Sequence, residues 1–178
     1  MRLPIVLLLA AAALPATPAS ATELFVGLHK HAIHSPLNLS GGIEQGVDLS
    51  VGVRFSPVGK VFGGQLQPYV FGALNSVGDT SYAAAGMSAR FGLGRNFYVR
   101  PGLGIAIHNG SAARFENPFN DTIELGSRIL FEPELAIGAR LNKRVSVEAS
   151  MIHMSHATLF SRQNPGIDNL GVRLNFAL

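Results

Sequence analysis

An alternation of apolar and polar residues with a period of two runs through most of the chain. The segment from Val47 to Phe55 places an apolar side chain at every odd position. Successive side chains of a β-strand point to opposite faces, so this period predicts strands that are apolar on one face. Eight segments show the pattern, some more weakly than others: 23–31, 47–55, 66–75, 80–91, 97–108, 123–140, 145–156 and 170–178.

Charged residues are too scarce for an ordinary soluble surface. They make up 14% of the 178 residues, whereas a soluble domain has about 25%. After residue 21 no apolar run approaches the length of a membrane-spanning helix. Apart from the longer segment 123–140, the predicted strands are near the 9–11 residues that a tilted membrane strand needs. We therefore predict an all-β fold, an eight-stranded antiparallel transmembrane β-barrel of the bacterial outer membrane.

The connections and the polar faces fit this prediction. Short turns at 92–96 and 142–144 alternate with longer connections at 32–43, 108–121 and 157–167, as in barrels with short periplasmic turns, although the connection at 76–79 is short and the turn at 56–65 is long. The charges of the polar faces nearly balance: Asp48, Glu124, Glu132, Glu134 and Glu148 against Arg54, Arg90, Arg100, Arg128, Arg140 and Arg173. This indicates a paired, filled interior rather than a conducting pore. A secreted soluble barrel or sandwich would show the same alternation and stays an alternative.

The first 21 residues have the pattern of a secretory signal peptide. Met1 and Arg2 precede an apolar stretch over 3–14, and an Ala-Ser-Ala sequence at 19–21 follows. Two prolines, Pro15 and Pro18, end the apolar stretch too early for a membrane anchor. We expect cleavage after Ala21 and a single barrel domain over 22–178.

Composition excludes several other functions. The chain has no cysteine, which excludes disulfides, a thiol nucleophile and a Cys-ligated zinc site. A formal net charge of +3 is too small and too scattered to indicate a nucleic-acid partner. His29, His31 and His34 lack neighbouring carboxylates in the sequence, so we interpret them as polar residues of the barrel rim and expect no metal or cofactor. We expect His108 to cap the barrel interior.

The seventh strand carries polar residues on a face that is otherwise apolar. The outward parity of Val145, Val147, Ala149 and Met151 continues to His153 and Ser155. Asp168 has the outward parity of the eighth strand, and the hairpin brings it close to His153. An imidazole beside a hydroxyl, with a carboxylate to orient it, is the arrangement of an activated serine nucleophile. Polar residues at headgroup depth are the simpler interpretation, which the residues alone leave open.

The hairpin carries two short motifs, His-Met-Ser-His-Ala at 153–157 and Asn-Pro-Gly-Ile-Asp at 164–168. Together they resemble the active-site signature of the lipid A 3-O-deacylase family, His-x-Ser-Asn-Ala followed by Asn-x-Gly and an acidic residue. Weaker similarity at 104–110 and 125–131 extends the resemblance over about 98–178. Two positions depart from the signature: His156 stands where the family has Asn, and Asp168 where it has Glu.

The resemblance implies an eight-stranded outer-membrane enzyme that removes the ester-linked acyl chain at position 3 of lipid A. By the same resemblance Ser155 is the nucleophile, His153 the general base and Asp168 the acid, with Asn164 and His156 supporting the oxyanion. The implied partner is lipid A of lipopolysaccharide in the outer leaflet of a Gram-negative cell, and a homodimer is a further expectation. The alternatives are an inactive structural or adhesive barrel of the same fold, and an acyltransferase barrel, which would not need this triad.

Overall fold

The computed structural model describes residues 22–36, 42–114, 122–160, 162 and 164–178. Within them, no helix is long and apolar enough to cross a membrane. The predicted signal peptide lies outside the described residues. The described residues form nine strands: β1 Glu23–Lys30, β2 Val47–Arg54, β3 Gly59–Val61, β4 Gly64–Asn75, β5 Tyr82–Leu93, β6 Phe97–His108, β7 Ile129–Arg140, β8 Val145–Met154 and β9 Ile167–Ala177.

Eight of these strands close into an antiparallel barrel. Each pairs with its neighbours in the chain, β2 pairs directly with β4, and β1 pairs with β9 to complete the circle. The short strand β3 pairs only with the start of β4 and forms a hairpin within the predicted turn 56–65. A closed barrel satisfies every strand edge internally, which lipid requires. The prediction of an eight-stranded antiparallel barrel is confirmed.

The outer wall is apolar, as the alternation predicts, whereas the interior holds the polar faces of the strands together with an apolar core that includes Phe25, Phe71 and Leu130. Along β1 and β2 every second residue is buried, and the residues between them face outward. Leu103 at the centre of β6 is 61% exposed, and Val172 on β9 is 55% exposed. So much exposed apolar surface on one continuous wall is suited to lipid rather than to water.

Ion pairs occupy part of the interior of the barrel. Arg54 lies 3.4 Å from Glu148 and 3.5 Å from Glu134. Arg173 contacts Glu134 at 2.7 Å, and Arg100 contacts Glu148 at 3.4 Å. All five side chains are almost fully buried, so the predicted inward pairing is confirmed for them.

The inward prediction is wrong at two bases, Arg128 and Arg140, and it omits the buried acid Glu23. Arg128 immediately precedes β7 and Arg140 is its last residue, and both side chains are exposed rather than buried in the interior. Glu23 begins β1 and is buried beside Arg90 at 3.1 Å and Arg100 at 2.8 Å. Its position next to the predicted cleavage site concealed its role as an interior counter-ion.

The predicted strand 123–140 begins six residues later than expected. Gly126 takes a φ of 71°, which interrupts an extended strand, and β7 starts at Ile129. Ile123 and Leu125 are buried in the apolar core instead of facing lipid. The backbone N–H of Leu125 donates to the carbonyl of Ser111 at 3.1 Å. This segment therefore packs over the end of the barrel that carries the long connections, which is the extracellular end.

Candidate active site

The β8–β9 hairpin places His153 and Asp168 directly opposite each other. The two residues are partners in the strand register, so their side chains leave the same face of the sheet. Nδ1 of His153 lies 2.6 Å from Oδ1 of Asp168. This is the neighbouring position that the outward parity of both strands predicts.

Ser155 lies immediately beyond the end of β8 and is held in extended conformation by β7. Its backbone N–H donates to the carbonyl of Phe131 at 3.1 Å, and its carbonyl accepts from the N–H of Phe131 at 2.7 Å. Oγ of Ser155 lies 2.9 Å from Nε2 of His153. A proton on Nδ1 directed at the carboxylate leaves Nε2 to accept the serine hydroxyl proton. The three side chains form one hydrogen-bonded chain that can activate Ser155.

The acid is more buried than its outward parity suggests. Asp168 is 0% exposed because the segment after β1 covers it, whereas the His153 side chain is 16% exposed. The backbone N–H of Ile33 donates to the carbonyl of Asp168 at 2.8 Å. The hydroxyl of Ser35 donates to Oδ2 of Asp168. Sequence reasoning missed Ser35, since no local pattern marks it and only the β1–β9 closure brings it here.

The predicted supporting residues, Asn164 and His156, contact each other. The backbone N–H of His156 donates to Oδ1 of Asn164 at 3.0 Å. The imidazole of His156 is buried, with its ring centre 6.0 Å from that of Phe160. The motif therefore brings the loop residue 164 back against the backbone that follows Ser155.

Gly166 allows the loop before β9 to pass close to His153. Its φ of 66° is one that favours glycine. A Cβ at this position would lie 3.1 Å from the carbonyl oxygen of Met154 and 3.2 Å from Cε1 of His153. The glycine of the motif thus allows the loop to pass closely beneath the imidazole ring.

The other histidines do not gather at one site, and two of them are not rim residues. His29 points into the barrel, 2.8 Å from Oγ of Ser150, whereas His34 is exposed. His31 is buried between Asp48 at 2.8 Å and Glu44 at 3.0 Å. His108 lies 2.7 Å from the carbonyl oxygen of Ser127 at the extracellular end of β6, close to the expected cap.

The environment of His31 favours its charged form. Burial lowers the pKa of His31, but hydrogen bonds to the carboxylates of Asp48 and Glu44 outweigh it and raise the pKa to about 9. Burial acts to raise the pKa of Glu44. Hydrogen bonds from His31, Ile123 and Thr80 outweigh it and lower the pKa of Glu44 below its ordinary value. Parity alone does not predict this triad, because Glu44 lies outside the predicted strands and His31 is the last residue of the predicted strand 23–31, beyond the observed end of β1.

The fold and the apolar wall define the class of protein: an integral β-barrel of the outer membrane. The family model of lipid A 3-O-deacylase (PagL) matches residues 45–177. The chain therefore belongs to the lipid A 3-O-deacylase family. This membership supports the outer-membrane barrel over the soluble alternative, and it confirms the family that the hairpin motifs indicate.

Solved structures of outer-membrane type share the fold at low sequence identity. The outer membrane enzyme PagL aligns with a TM-score of 0.58 and 16% identity, covering 88% of this chain and 99% of its own. Neisserial surface protein A aligns at 0.55 and 11%, covering 88% and 97%. A de novo designed transmembrane β-barrel aligns at 0.57 and 7%, covering 92% and 100%. No curated protein sequence matches the chain significantly.

Proposed function

We propose that the protein hydrolyses the ester-linked acyl chain at position 3 of lipid A. The observation that carries the proposal is the hydrogen-bonded chain from Asp168 through His153 to Ser155 on the outer wall of a lipid A 3-O-deacylase family member. Ser155 is the nucleophile, His153 the general base, and Asp168 orients the imidazole and balances its charge.

The reaction proceeds by acyl transfer to Ser155. His153 Nε2 takes the hydroxyl proton as Oγ attacks the ester carbonyl carbon, giving a tetrahedral oxyanion. Collapse breaks the bond to the sugar 3-oxygen, which receives the proton from His153. Water then attacks the acyl-serine with His153 again as base, releasing the fatty acid and restoring the Ser155 hydroxyl.

Asn164 and His156 support the oxyanion in this proposal. The Asn164 amide oxygen accepts the His156 N–H, so the two amide protons of Asn164 stay available to a substrate oxygen. Preorganised donors of this kind stabilise the tetrahedral intermediate more than the ground state. The departure from the family at position 156 leaves this arrangement intact, because the backbone of His156 makes the contact.

The surroundings of the site suit a lipid substrate. Met151 and Leu170 lie opposite each other on the same face as His153 and Asp168, one step further toward the membrane centre. Acyl chains of lipid A in the outer leaflet can lie along these side chains while the ester sits at headgroup depth. The homodimer stays a prediction, which crosslinking in the membrane can check.

Expression in a Gram-negative host followed by mass spectrometry of its lipid A tests the proposal. We expect wild-type protein to remove one 3-hydroxyacyl group, and Ser155→Ala to abolish the loss. Ser81→Ala, a matched change at the connection between β4 and β5, neither of which pairs with β8 or β9, should behave as wild type. Unchanged lipid A beside a well-folded wild-type barrel would instead support the inactive structural barrel.

A further inference from the structure

The second carboxylate oxygen of Asp168 has a partner of its own. While Oδ1 faces His153, Oδ2 accepts the hydroxyl proton of Ser35, and the Asp168 side chain is fully buried. We propose that Ser35 is a positioning residue for the reaction, holding Asp168 in the rotamer that directs Oδ1 at His153. The inference builds on the proposed function and adds a fourth side chain to it.

The contact arises from the closure of the barrel rather than from the sequence near the motifs. Lys30 ends β1 opposite Leu170 of β9, so the segment that follows β1 runs past Asn169 and Asp168. The backbone N–H of Ala32 donates to Oδ1 of Asn169 at 3.0 Å, and that of Ile33 to the Asp168 carbonyl at 2.8 Å. These two bonds fix the path of the chain just before Ser35.

A buried polar network holds this segment from the inside of the barrel. Nδ2 of Asn169 donates to Oδ2 of Asp48 at 2.9 Å, and the same oxygen lies 2.8 Å from Nδ1 of His31. His31 also contacts Glu44, which accepts from the backbone of Thr80 at 3.1 Å. Hydrogen bonds therefore connect the residues directly before Ser35 with β9, with the start of β2 and, through Glu44, with the β4–β5 connection.

The hydrogen bond from Ser35 is important because Asp168 is a buried acid with a short side chain. A buried carboxylate that lacks hydrogen-bond partners is costly, and Ser35 satisfies the oxygen that His153 does not reach. Asp168 is one methylene shorter than the glutamate of the family signature, so its carboxylate must be aimed from closer to the backbone. Fixing Oδ2 restricts rotation of the carboxylate and keeps Oδ1 on Nδ1 of His153.

Two substitutions at position 35 with side chains of the same shape distinguish the effect of the hydroxyl group from the effect of side-chain packing. Ser35→Thr keeps a hydroxyl, and Ser35→Val has the shape of threonine without it. With purified protein and lipid A in detergent, we expect Ser35→Val to lower kcat about tenfold, the typical scale of a lost hydrogen bond to a charged group, with little change in KM. Ser35→Thr should restore most of kcat, and His34→Ala, an exposed neighbour, should be unchanged.

A spectroscopic readout makes the test independent of turnover. The His153 Nδ1 proton in its short bond to Asp168 should give a downfield proton NMR signal in the folded barrel, which Ser35→Val should shift and Ser35→Thr should retain. Equal kcat and an unshifted signal in Ser35→Val would overturn the proposal for Ser35. An inactive wild type whose signal still responds to Ser35→Val would overturn the proposed function and leave the positioning role standing.

Discussion

Asp168 shows how a charged residue is accommodated on a lipid-facing wall. Its outward parity alone would place a carboxylate in apolar surroundings, where an unpaired charge is costly. The side chain is instead fully buried and receives hydrogen bonds on both oxygens, from His153 and Ser35. The contacts that make the charge tolerable are the same ones that orient the imidazole.

Replacement of Asp168 tests its place in the triad. Asp168→Ala removes the orientation of His153 and the counter-charge for the imidazolium, so we expect kcat to fall by roughly 10²–10⁴-fold. Release of 3-hydroxy acid from purified lipid A measures the effect. Asp168→Glu, which restores the family residue, should retain more activity than Asp168→Ala. Full activity in Asp168→Ala would assign the acid to another residue.

At the residue level, sequence reasoning was most successful where two residues lie on neighbouring strands. Strand parity and the hairpin are enough to bring His153, Ser155 and Asp168 together, because both are local properties of the chain. Ser35 lies 133 positions from Asp168, and its contact depends on the register in which β1 meets β9. Nothing near Ser35 in the sequence encodes that register.

Among the elements, the connections of the extracellular end are held by one charged cluster. His31 follows β1, Glu44 precedes β2, and Glu44 also accepts the backbone N–H of Ile123 at 3.1 Å from the β6–β7 connection. The bond from Ile123 to Glu44 explains why the segment 123–125 is predicted as a strand but does not form one. Ile123 and Leu125 alternate with Glu124 as in a strand, but they are apolar because they are buried at the end of the barrel.

The raised pKa of His31 predicts a loss of stability in alkaline solution. A folded-state pKa of about 9 against an ordinary value of 6.5 stabilises the fold fully below about pH 6.5. That contribution, about 3 kcal/mol, is lost as the pH rises through 9. Urea unfolding of the barrel in lipid vesicles at pH 6 and pH 9.5 measures it. His31→Gln should show a clearly smaller difference between the two conditions, and an equal difference would contradict the prediction.

The molecule as a whole places apolar side chains on its outer wall and most charged side chains of its strands inside, beside the apolar core. This division was predictable from the sequence, since period-two alternation and a low charge content determine it together. The pairing of particular charges was not, because Arg54 meets Glu134 and Glu148 across the width of the barrel. These partners come from strands that are not neighbours. Strand parity therefore predicts which charged residues face the interior, but it does not predict which of them form ion pairs.

The wall predicts a depth-dependent cost for a charge facing lipid. Leu103 lies in the middle of β6, whereas Leu93 lies at the periplasmic end of β5, and both are well exposed. We expect Leu103→Arg to lower the free energy of unfolding in vesicles by about 2–4 kcal/mol, and Leu93→Arg by about 0–1 kcal/mol. Equal costs at the two positions would argue against a membrane-embedded wall.

The buried ion pairs also affect how permeable the membrane is to small solutes at the position of the barrel. Among the described residues, Arg54, Arg100 and Arg173 with their carboxylates occupy the lumen, where a wide aqueous path for small solutes would have to run. The proposed site on the outer wall needs no such path, because a lipid substrate would reach it sideways within the leaflet. A reaction at the outer wall therefore does not require an increase in the permeability of the membrane.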